Sequence, residues 1–178
     1  MAKEGEKMLK KVRIEIITDR FEAKGSLYEV PTGQLLPAPE NDPDQSQETE
    51  HMEMTVEASY HDDGHRVCIR YKESELSGME GSTTSVSFQK NDQSLISMLR
   101  DGSVKTALIF EPTKRHLCVY QTQIMPFEVC VYTRSVNNCI ETDGILEMDY
   151  TVELRGAQAE HTRFLLRVLP AFDKPATK

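Results

Sequence analysis

The chain has 178 residues, 38% hydrophobic and 28% charged, with no Trp and a formal net charge of −8. That is enough for one domain with a real core, while its longest apolar runs, such as Ala107–Phe110, are far too short for a helix to cross a bilayer. The acidity is local: residues 26–60 hold eight acids and neither Lys nor Arg, and the remainder is nearly balanced, so neither nucleic acid nor a membrane is an expected partner.

In chain order, MAKEGEKMLKKVRIEIITDR opens charged and offers no apolar signal-peptide core. Within it Val12, Ile14 and Ile16 alternate with polar residues, the period of a half-buried strand. Residues 1–25 therefore read as a first strand region. Residues 26–50 are acidic and Pro-rich, too polar to offset their chain entropy by burial, and read as a flexible insert. Residues 51–170 read as the main body and 171–178 as a tail.

In the main body one short alternating run follows another. Met52, Met54, Val56, Ala58 and Tyr60 lead to an Asp63-Gly64 turn, and Val67, Ile69 and Tyr71 return. Thr84, Val86 and Phe88 come next, and SLISMLR (Ser94–Arg100) fits either a strand or a helical turn, with its neighbours favouring strand. Asp101-Gly102 then turns into Val104, Thr106, Leu108 and Phe110; Phe127, Val129, Val131 and Thr133 form a further face. Asp143-Gly144 opens Leu146, Met148, Tyr150, Val152 and Leu154, and Thr162, Phe164, Leu166 and Val168 close the series, again as strand rather than helix. The spacing predicts an all-β domain, an antiparallel up-and-down β-barrel of eight to ten strands. A barrel of that size is filled by side chains or holds one small ligand.

Cys68, Cys118, Cys130 and Cys139 include no C-x-x-C pair, which fits reduced, structural thiols in a cytoplasmic protein. His61, His65 and Cys68 flank a turn without a fourth ligand nearby, so no metal and no cofactor is expected. The stretch YKESELSGMEGSTTSVSF (Tyr71–Phe88) carries the most chemistry. Glu73 and Glu75, if both on a strand, share a face about 6.6 Å apart along the chain, a separation open to acid–base work on a glycoside. The same residues also read as a strand ending in water. Gly78-Met79-Glu80-Gly81 lacks the Lys of a phosphate loop and reads as a chain reversal, with Glu80 in a loop at a barrel mouth. Glu73 continues the Val67/Ile69/Tyr71 face and Arg100 the Ile96/Met98 face, so both point inward and have to be paired or solvated near a mouth.

Taken together, YKESELSGMEGSTTSVSF, SMLRDGSVKTALIFEP, FEVCVYTRSV and DGILEMDYTVEL resemble the YwiB-like family, small bacterial proteins of uncharacterised function. Tyr71, Glu73, Glu75, Leu76, Gly78, Met79, Glu80, Gly81 and Thr84 match its most recognisable motif, and Arg100 and Gly102 its Arg-x-Gly signal, over roughly Glu53 to Leu169. The chain departs at Thr122–Phe127, where a Gly is missing, and in its longer first connection. The resemblance implies a calycin-type, lipocalin-like barrel but no activity. By analogy with such barrels, the leading expectation is a small amphiphilic or apolar ligand inside, met by Tyr71, Glu73, Glu80, Thr84, Phe88, Arg100, Thr106, Tyr150 and Phe164. A protein-interaction module with a packed barrel is the alternative, and an enzyme using Glu73 or Glu75 the third.

Overall fold

The structure is a computed structural model that describes residues 8–22, 49–77, 79–122, 125–154 and 157–170. The expected insert falls outside the described residues except for its last two, which begin a strand; the 171–178 tail falls outside them altogether. Ten strands appear among the described residues: β1 (Met8–Glu22), β2 (Thr49–Asp62), β3 (Arg66–Lys72), β4 (Thr83–Gln89), β5 (Asp92–Asp101), β6 (Lys105–Phe110), β7 (Arg115–Gln121), β8 (Pro126–Cys139), β9 (Ile145–Leu154) and β10 (Ala157–Leu169). Each pairs antiparallel with its sequence neighbour, and β1 pairs with β10 from Arg13↔Leu169 to Glu22↔Glu160, closing the barrel. Closure gives each of the ten strands two neighbours. The up-and-down barrel expected from the sequence is the fold observed, and both ambiguous segments are strands, within β5 and β10.

The period-two pattern sorts the side chains. On β3, Val67, Ile69 and Tyr71 are buried while Arg66, Arg70 and Lys72 are exposed. On β9, Leu146, Met148 and Tyr150 are buried and Glu147 is exposed. The interior is not uniform along the barrel axis. Towards the end where β3, β5 and β7 begin, it is apolar, with Val67, Phe88, Ile96, Phe110, Leu146 and Leu166 buried. Towards the opposite end, register places Tyr71, Thr84, Arg100, Thr106, Tyr120 and Phe127 in one row across β3 to β8. A polar row at one end of an apolar core defines a mouth.

Two local features shape that mouth. The connection from β3 to β4 carries a short 3-10 turn, Glu75–Ser77, and is closed at its base by the Glu73 N–H donating to the Ser82 carbonyl at 2.9 Å. Gly81 ends the reversal with φ +79°, a backbone conformation that residues with a Cβ adopt only with strain. In the next connection Gly102 lies against it: a Cβ there would come within 2.2 Å of Ser82 Oγ and 2.6 Å of Ser82 Cα. The two connections are thus packed on one another. The other feature is a short seam. Among the described residues, β6 and β7 pair only through Lys105↔Gln121 and Thr106↔Tyr120, beside the mouth. Beyond the seam, the chain after β6 turns to β8, where the Thr113 N–H donates to the Thr133 carbonyl at 2.8 Å.

Candidate functional site

The mouth is organised around a buried ion pair. Glu73 follows the last residue of β3 and keeps the inward face of Tyr71, leaving its side chain 2% exposed; Arg100, near the end of β5, is 12% exposed. Arg100 donates to Glu73 Oε1 from Nη2 at 3.2 Å and from Nε at 3.3 Å, and the Thr84 hydroxyl donates to the same oxygen at 2.5 Å. Arg100 Nε also lies 3.2 Å from Thr84 Oγ1. Charges withdrawn from water require such partners. The Tyr71 phenol beside them is pushed well above its ordinary pKa, mainly by burial and further by the Glu73 charge, with Arg100 partly offsetting both. Burial also raises Tyr150 and Tyr120, so all three phenols stay protonated at neutral pH.

A second cation faces the same opening. Arg20 continues the Ile14/Ile16/Thr18 face of β1 and lies 3.5 Å from Glu50 and 4.0 Å from Glu160. Thr162 donates to the same Glu160 oxygen at 2.7 Å. Arg20, Glu73 and Arg100 border an interior space of about 40 Å³, walled further by Met52, Met54, Met98, Tyr71, Tyr150 and Phe164. Drug-sized ligands occupy about 300–1,000 Å³, so this space as it stands is too small to hold one.

Of the residues singled out from sequence, Tyr71, Glu73, Arg100, Tyr150 and Phe164 border this space and Thr84 supports it through Glu73. Thr106 sits opposite Arg100 in register, buried, its hydroxyl without a hydrogen-bond partner. Phe88 does not join them: it packs at the apolar end, opposite Val67 and Ile96. Glu80 is exposed in the β3–β4 connection and makes no contact with the space. Glu73 and Glu75 do not share a strand face, because β3 ends at Lys72; Glu75 starts the 3-10 turn and is exposed. Among the described residues no group of three or more His, Cys, Asp or Glu is arranged to hold a metal.

Arg20, Tyr120 and the three methionines were missed. The signal for Arg20 was present, since it stands on the same alternation that identified Ile14 and Ile16. The methionines carried none, because an inward Met looks the same in a packed wall and in a pocket.

The fold and the sequence together define a family. The family model described as "Domain of unknown function (DUF1934)" matches residues 40–166, and the chain belongs to that family. Among solved structures the chain is similar to the crystal structure of the ywiB protein from Bacillus subtilis, with a TM-score of 0.60 and 15% identity. That match covers 91% of this chain and 96% of the other. At this identity the likeness concerns the fold. A search of the curated proteins gave no match.

Proposed function

We propose that the protein is a non-catalytic binding protein that takes a small amphiphile at the Arg20/Arg100 mouth, not in a permanently open interior. The observation that carries this reading is a buried Glu73–Arg100 pair facing a space walled by Met52, Met54 and Met98. Unbranched thioethers change rotamer readily, and such walls yield to a guest more easily than branched ones. The apolar part of the ligand replaces methionine contacts and its polar end meets the charged rim. Four unbridged cysteines support a place in the reducing cytoplasm. The charged outward positions of β1, among them Lys11, Arg13, Glu15 and Asp19, are unlike a lipid-facing band.

Carbon-13 labelling of the methionine methyls tests this reading. Titration with a medium-chain amphiphile is expected to shift the Met52, Met54 and Met98 signals together, leaving exposed Met125 unmoved. If no methionine responds to any amphiphile, or all respond alike, the reading is wrong.

One observation favours a second reading, a protein-interaction module with a packed barrel. Leu99 on β5 and Leu117 and Val119 on β7 are apolar and exposed on the outer wall. If partner capture is lost in a Leu117→Lys, Val119→Lys variant while the methionines stay silent, this second reading replaces the first.

A further inference from the structure

Several hydrogen-bond donors at the mouth have no protein acceptor among the described residues. Glu73 Oε1 takes the Nε and Nη2 donors of Arg100 and the hydroxyl of Thr84, while no described residue accepts from Arg100 Nη1. Directly across β6 the Thr106 hydroxyl is buried, the residue 5% exposed, and has no partner at all. Buried polar groups are nearly always satisfied, so such a hydroxyl points to a missing acceptor. Register sets Tyr120 next in the row after Thr106, and the ring stacks on Phe127 at 5.4 Å. Its phenol, held protonated by burial, is another donor.

We propose that Arg100, Thr106 and Tyr120 form an oxyanion subsite for the carboxylate of a small carboxylic amphiphile. This rests on the mouth-binding reading above and names the chemical class of its ligand. One carboxylate oxygen accepts from Arg100 Nη1 and the other from the Thr106 and Tyr120 hydroxyls. The class follows from charge as well as geometry. Glu50, Glu73 and Glu160 already outweigh Arg20 and Arg100, so the rim has no spare positive charge and a single negative charge is tolerated better than the double charge of a phosphate monoester.

The test is calorimetric titration of the whole chain with octanoate, octyl phosphate and octanol, repeated on Thr106→Val and Tyr120→Phe. Thr106→Val keeps the shape of the side chain and deletes a hydroxyl that has no partner, so it folds at least as well as the parent. Octanoate is expected to bind tighter than either other probe and to lose about tenfold in affinity in each variant, as for a hydrogen bond to a charged group. Octanol binding is expected to stay unchanged. Octanol or octyl phosphate binding the parent as tightly as octanoate overturns the carboxylate assignment and leaves the mouth reading standing. So does a Thr106→Val variant that gains stability without losing octanoate affinity, since water alone then serves the hydroxyl. Failure of all three probes to bind overturns both.

Discussion

Glu73 and Arg100 illustrate how much one inward charge constrains a barrel. Removing one member leaves the other buried without compensation, which costs about 3–5 kcal/mol in comparable pairs. Glu73→Ala is therefore expected to lower unfolding stability by about 3 kcal/mol in urea melts. Glu73→Leu combined with Arg100→Met is expected to lose much less; equal losses in both would mean that the pair is not the cause. The tyrosines give a pH dependence. Burial raises Tyr60, Tyr71, Tyr120 and Tyr150, so the folded chain keeps protons that the unfolded chain releases near pH ~10. Stability is accordingly full below that pH and falls as pH rises through the folded values. Phenolate absorbance is expected to rise for these side chains only together with unfolding. Ionisation of every tyrosine at about 10 with the fold intact would contradict their burial. Much of this was legible: the alternation that put Ile69 and Ile96 inside put Glu73 and Arg100 inside too. Their partnership with Thr84 was not, because cross-strand register depends on turn lengths that a single sequence leaves open.

Among the elements, the β3–β4 connection departed most from expectation. The sequence promised a glycine-bounded reversal, and Gly81 supplies it; the 3-10 turn at Glu75–Ser77 carried no signal of its own, since three residues are too few for a period. Gly102 is the opposite case. It read as a simple turn glycine, yet its smallness serves the contact with Ser82 in the neighbouring connection. Gly102→Ala is thus expected to cost about 3 kcal/mol by forcing two backbones apart. Gly81→Ala, which has open space but a positive φ, is expected to cost about 1 kcal/mol. Thermal melts of the two variants check the ranking, and the reverse order would show that the connections are not packed together. Elsewhere the strands were readable because each buries one face, and β2, β5 and β8 lead into an Asp-Gly signal. At Asp63-Gly64 the Asp63 carboxylate accepts from the His65 and Arg66 N–H groups at 2.9 and 2.7 Å, which holds its pKa below the usual range.

At the scale of the whole molecule, ten antiparallel strands form one closed wall whose interior is apolar at one end and polar at the other. Closure through β1 and β10 joins the first strand to the last, and Arg167 pairs with Glu15 across that seam. Strand order, and the strand count to within eight to ten, were legible from the succession of hairpins; the small size of the space behind Arg20 and Arg100 was not, because it depends on the packed volumes of side chains from many strands. The small size of that space moves the candidate site from the barrel centre to its mouth. The most direct measurement of this central claim is native mass spectrometry of the freshly purified chain, then of the same chain unfolded, refolded and exposed to excess octanoate. One small adduct per chain is predicted, lost on refolding in clean buffer and restored by octanoate. A bare chain mass in every state would contradict it.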